Sequence, residues 1–119
     1  MLKAVVLVVE DEHLLRLNAA QMIEDAGYEV IEASNADEAI QILESRTDIR
    51  IVFTDINMPG SMDGIKLANA VRDRWPPIRL IVTSGKVALR PGDIPVDGRF
   101  LSKPYTSEQI VNILGELAA

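Results

Sequence analysis

The chain has 119 residues, a length suited to one domain, and its aromatics are only 4%, so aliphatic side chains must build the core. The 12 Lys+Arg against 18 Asp+Glu give a formal charge of -6 with no basic cluster, which argues against nucleic acid as a direct partner, because affinity there comes from neutralising phosphates. Cysteine is absent, which excludes disulfides and thiolate metal sites. The longest apolar run, Ala4 to Val9, is too short to cross a bilayer and lacks the flanks of a signal peptide, so no membrane partner and a cytoplasmic location are expected.

Ala4 to Val9 is apolar without alternation, as suits a central parallel strand covered on both faces, and it runs into three acids, Glu10-Asp11-Glu12. A helical pattern follows, with Leu15, Ala19, Met22, Ile23 and Ala26 on one face and Gly27 ending it. Tyr28 to Ile31 predicts a second strand. Ser34 or Asn35 then caps a helix that turns Ala36, Ile40 and Leu43 inward. The third strand, residues 50–54, stops at Asp55, and Asn57, Pro59 and Gly60 make the turn. Asp63-Gly64 opens a helix carrying Ile65, Ala68 and Val71 on one side, and Trp75-Pro76-Pro77 ends it.

Leu80-Ile81-Val82 is the fourth strand, ending at Thr83-Ser84-Gly85. Residues 86–98 contain Pro91, Gly92, Pro95 and Gly98 and show little helical periodicity, so the fourth helix is expected to be short or missing, with at most one turn near Val87 to Arg90. Arg99-Phe100-Leu101 is a fifth strand. Thr106-Ser107-Glu108-Gln109 is a capping box for a last helix, whose Ile110, Ile113, Leu114 and Leu117 form one apolar face.

Strands alternating with helices predict an α/β fold, one domain over residues 1–119, with a five-stranded parallel sheet covered on both faces. Parallel strands bring their carboxyl ends to one rim, where ligands sit in such sheets. Glu10, Asp11, Asp55, Ser84 and Lys103 all converge there. Carboxylates crowded on a rim repel, each close pair by about 4 kcal/mol at an effective dielectric of about 20, so a cation or a proton must sit among them. Mg²⁺ suits an oxygen-only set; with His13 the only imidazole and no Cys, zinc does not. Asp55 is then a carboxylate nucleophile of the kind that forms aspartyl-phosphates. Lys103 is the ammonium that neutralises phosphoryl oxygens, and the Ser84 hydroxyl a donor to them, a role Thr83 could share.

Taken together, Glu10-Asp11, Asp55-Ile56-Asn57-Met58-Pro59-Gly60, Ser84-Gly85 and Lys103-Pro104 resemble the receiver domain of bacterial two-component response regulators, over essentially the whole chain. The resemblance implies a doubly wound, flavodoxin-like sheet with strand order 2-1-3-4-5. It implies that Asp55 accepts a phosphoryl group from a phospho-histidine on a histidine kinase or histidine phosphotransfer protein. It further implies that Asp11 directly, and Glu10 through water, hold Mg²⁺ with Asp55, and that Asn57 gives the metal a backbone carbonyl. Ser84 resembles the switch hydroxyl, Lys103 the phosphate-binding lysine, Phe100 the rotating aromatic, and Lys103-Pro104 the cis peptide bond of the family.

The protein would then be a stand-alone phosphoacceptor, not a turnover enzyme, and its output a changed affinity for a downstream protein that the sequence does not name. Glu10 in place of the commoner aspartate, Ser61 as an extra residue, and residues 86–98 depart from the family pattern. The alternatives are a degenerate receiver used only for protein interaction and an aspartate-nucleophile phosphatase of the haloacid-dehalogenase type. The second places an Asp-x-Asp pair after its first strand, where this chain has Glu10-Asp11-Glu12-His13. A flavodoxin-like cofactor binder is disfavoured because three acids at that turn would repel a flavin phosphate.

Overall fold

Val5–Val9 is buried at every position because it lies at the interior of a sheet with a strand on each side and helices on both faces. The computed structural model describes residues 4–58, 62–85 and 98–118. Its elements are β1 (Val5–Val9), α1 (His13–Asp25), β2 (Glu29–Ala33), α2 (Ala36–Ser45), β3 (Ile49–Asp55), α3 (Gly64–Arg74), β4 (Arg79–Ser84), β5 (Arg99–Ser102) and α4 (Ser107–Ala118). All strand pairs are parallel and the order is β2-β1-β3-β4-β5, as expected. The helix expected after the fifth strand is α4. The segment expected to carry a short or missing fourth helix lies, over residues 86–97, outside the described residues, as do Pro59, Gly60 and Ser61.

Alternation along the strands divides the core into two layers. Leu7, Val9, Val52, Leu80 and Val82 point to one face and pack on Ala36, Ala39 and Leu43 of α2 and on Leu67, Ala68 and Val71 of α3. Val6, Val8, Ile51, Phe53 and Ile81 point to the other and meet Ala19 and Ile23 of α1 with Ile110, Leu114 and Leu117 of α4. One expected core position differs. Leu15 is 39% exposed, and α1 buries Ala19, Ala20 and Ile23 instead. The first turn of α1 stands at the rim, where no strand lies beneath it, so its leucines find no core.

Helix ends follow local chemistry. Gly27 takes φ +101°, and the N–H groups of Gly27 and Tyr28 donate to Glu24 O (2.9 Å) and Ile23 O (3.3 Å), which closes α1 in a Schellman motif. Asn35, not Ser34, caps α2 through the Glu38 N–H (2.8 Å). Asp63 caps α3 by accepting from the Lys66 N–H (2.9 Å). The Thr106–Gln109 box is reciprocal: Thr106 N–H donates to Gln109 Oε1 (2.8 Å) and Gln109 N–H to Thr106 Oγ1 (3.1 Å).

Gly64 sets the approach of α3 to the end of β3. Its N–H donates to Ile56 O at 3.0 Å, and a Cβ built there would collide with the carbonyl of Asp55 and come within 2.8 Å of Ile56 Cα. Gly64→Ala should therefore destabilise the protein by about 1–3 kcal/mol or more. Gly115→Ala, whose added Cβ meets nothing within 4 Å on α4, should stabilise it by about 0.5–1 kcal/mol. Urea unfolding of the two variants checks both signs.

Candidate functional site

The carboxyl ends of β1, β3 and β5 are held level by backbone bonds that continue the ladder past each strand. Glu10 N–H donates to Ala33 O (3.1 Å), Ile56 N–H to Thr83 O (2.9 Å) and Lys103 N–H to Ser84 O (3.0 Å). Val9 pairs with Thr54, Asp55 with Thr83, and Ser84 with Ser102, so Glu10, Asp55, Ser84 and Lys103 rise on adjacent strands of one rim.

Their side chains meet. Lys103 Nζ is 3.0 Å from Glu10 Oε1 and 3.0 Å from Asp55 Oδ1. The contact with Glu10 is a hydrogen bond. The contact with Asp55 is an ion pair without hydrogen-bond alignment, so the buried Oδ1 receives no hydrogen bond from the described residues. Glu10 Oε2 accepts the Glu12 N–H at 3.2 Å. Glu10, Asp11 and Asp55 each bring one carboxylate oxygen into a group whose members lie within 4.8 Å of one another. Glu10 and Asp55 are only 6% and 5% exposed, so water does little to relieve the repulsion.

Burial is the main force raising the Glu10 carboxyl above its ordinary 4.5; the Asp55 charge adds to it, while the Lys103 hydrogen bond and the Glu12 N–H oppose it. Burial pulls the Lys103 ammonium down, but Glu10 and Asp55 outweigh it and hold its pKa above 10.5. The lysine is thus a fixed positive charge at neutral pH. Three hard oxygen donors, one of them buried and short of a donor, fit a small divalent ion such as Mg²⁺.

The remaining expected residues fall around this centre. Thr83 and Ser84 are buried at the end of β4. Asn57 is exposed just beyond β3, and Phe100 on β5 is 38% exposed. The Lys103-Pro104 peptide bond is cis. Met58 is buried in the α2–α3 layer and Met62 packs against it, while Trp75 ends α3 beneath the Arg74 guanidinium, 4.3 Å away. Two residues were missed from sequence. Tyr105 packs edge-on against Phe53 with centroids 5.7 Å apart, and burial pushes its hydroxyl pKa up. Arg16 donates to the Glu10 carbonyl at 2.9 Å. A helical residue leans toward the N-terminus of its helix, which was the available signal that a long side chain at position 16 could reach back to the acidic turn.

A family model described as "Response regulator receiver domain" matches residues 6–115. The chain belongs to that family. It is 34% identical over 110 residues to the response regulator receiver protein CpdR of Brucella abortus, covering 90% of each chain. It is also 34% identical over 118 residues to the sensor kinase CckA of the same organism, spanning 96% of this chain but only 12% of that protein. A crystal structure of a response regulator receiver protein from Sinorhizobium medicae superposes with a TM-score of 0.90 at 31% identity, covering 97% of this chain and 94% of that one. The receiver fold is therefore that of two-component response regulators.

Because the folded state holds the Glu10 proton more tightly than the unfolded chain, ionising Glu10 costs stability. The cost is absent below pH 4.5 and grows as pH rises through the raised folded-state pKa. Glu10→Gln should accordingly raise the thermal midpoint of the metal-free protein by a few degrees at pH 7, and the gain should vanish toward pH 4. Calorimetric scans across that range measure it.

Proposed function

We propose that Asp55 accepts a phosphoryl group from a phospho-histidine, making the receiver a phosphoacceptor that switches affinity for a protein partner and not a turnover enzyme. The observation that carries this reading is the buried Asp55 carboxylate at the end of β3, with Oδ1 against Lys103 Nζ and beside Glu10 and Asp11. In the transfer, an Asp55 oxygen bonds to phosphorus as the phosphorus–nitrogen bond of the donor breaks, and the departing imidazole keeps the electron pair. Lys103 neutralises charge on the phosphoryl oxygens, and Ser84, buried on the next strand, turns its hydroxyl toward them.

Glu10, Asp11 and Asp55 would hold Mg²⁺, with the backbone carbonyl of Asn57 as a further ligand; when bound, the ion supplies countercharge for the transferring group. The donor is a histidine kinase or histidine phosphotransfer protein, a reading supported by the likeness to CpdR and to part of the sensor kinase CckA. Residues 1–119 form one receiver domain, and the reading includes a cytoplasmic setting and no nucleic-acid partner. Among the described residues no helix is long and apolar enough to cross a membrane.

The phosphoryl group gives Ser84 and Lys103 new acceptors and biases a two-state equilibrium, with Phe100 following; a near-complete shift needs about 5.5 kcal/mol of differential stabilisation. Incubation with a small acyl-phosphate donor and Mg²⁺ should add one phosphoryl group by intact-mass spectrometry. Asp55→Asn or EDTA should abolish the adduct. Undiminished labelling of Asp55→Asn would move the acceptor elsewhere and overturn the reading.

A further inference from the structure

Arg16 sits on α1, close after the acidic turn, and its side chain is 15% exposed, whereas the other ion-paired arginines of the described residues are 39–51% exposed. All three guanidinium nitrogens are used. Nη1 donates to Glu10 O at 2.9 Å, Nε to Glu32 Oε1 at 3.1 Å, and Nη2 lies 3.0 Å from His13 Nδ1, which accepts because arginine has only donors. Glu10 N–H meanwhile donates to Ala33 O at 3.1 Å. Both backbone groups of Glu10 are therefore tied toward β2, one by the ladder and one through a partly buried fork. A point charge could not make this connection, since it needs donors in several fixed directions at once.

We propose that Arg16 is a positioning residue of the cation site: it clamps the Glu10 carbonyl to Glu32 and so fixes the direction in which Glu10 and Asp11 present their carboxylates to a divalent ion. The proposal rests on reading Glu10, Asp11 and Asp55 as a Mg²⁺ site, and extends that site to a side chain that itself touches neither the ion nor a phosphoryl group. Orientation and charge act in opposite directions here. As a mere positive charge near the acids, Arg16 would weaken Mg²⁺ binding, and its removal would tighten it. As a clamp it strengthens binding, and its removal weakens it.

The test is the Mg²⁺ dissociation constant of the full chain by titration calorimetry, at a temperature where urea unfolding shows each variant to be folded. Arg16→Met should weaken Mg²⁺ binding about tenfold, the scale on which residues that orient metal ligands act. Arg16→Lys keeps the charge and loses the fork, so it should weaken binding as well, and Glu32→Gln should do so by a smaller factor. Glu29→Gln removes an equal charge from the far end of β2 and should change nothing. Unchanged or tighter binding by Arg16→Met overturns the proposal, and if that variant does not fold, Arg16→Lys and Glu32→Gln decide by the same criterion. Absence of Mg²⁺ binding in the parent chain would overturn the metal reading itself, a result distinct from failure of the clamp alone.

Discussion

The Lys103 ammonium wedged between Glu10 and Asp55 is the interaction on which the site depends. It joins side chains from three strands, and its two ends on the Glu10 contact are 93 residues apart in sequence. Only a parallel sheet brings them together, because it alone collects the carboxyl ends of β1, β3 and β5 on one rim. One ammonium cannot neutralise Glu10, Asp11 and Asp55 together. Burial is the main cause of the raised Glu10 pKa and the Asp55 charge adds to it, while Asp55 Oδ1 receives no hydrogen bond from the described residues. On the proposed reading, a divalent ion supplies the missing countercharge.

Such an arrangement does not hold the fold together. Desolvating several charges costs more than a well-packed apolar cluster would, and losing Lys103, which would leave the buried Glu10 and Asp55 carboxylates without their cation, is costlier still. Stability comes instead from the two aliphatic layers, where Leu7, Val52, Leu67 and Leu80 on one side and Ile23, Ile81, Ile110 and Leu114 on the other are almost fully buried. The layers also make the site rigid. Phe53 anchors β3 two residues before Asp55 and receives Tyr105 edge-on, and the bare backbone of Gly64 lets α3 press against the Asp55 carbonyl. The carboxylate can be strained electrostatically because its main chain is overdetermined.

Much of this was legible in the sequence, for identifiable reasons. An unbroken apolar run ending in acids marks a buried strand and its rim together, which placed Glu10, Asp11 and Asp55 without any coordinates. Gly27 and the Thr106–Gln109 box announced helix ends because their chemistry is local. The face of α1 was not legible at Leu15, since periodicity tells which residues share a side and not whether a sheet lies beneath each turn. The contact of Lys103 with Glu10 was also hidden. It depends on the length of the glutamate arm and on the relative height of β1 and β5, which is set by pairing through β3 and β4, including a register shift between Val5 and Val6 that leaves Arg50 without a partner on β1. Arg16 carried only a weak signal, the backward lean of a helical side chain, because its partners are a carbonyl and a carboxylate on different elements.

On the proposed reading, phosphorylation changes which groups can coexist on the rim. It replaces a carboxylate by a group of nearly double the charge with three strong acceptor oxygens. Lys103 then has a better partner than Glu10, and Glu10 is freed to turn toward the ion. The change need not travel far. Ser84 pairs with Ser102, Thr83 with Leu101 and Val82 with Phe100, so a pull on the end of β4 reaches the half-exposed Phe100 across a single strand pairing. Leu101 is buried and held, whereas Phe100 is exposed on one side and has room to rearrange. On this reading, the geometry that concentrates charge at Asp55 also directs output along β4 and β5, away from β2, whose Glu32 pairs with Arg16 of α1.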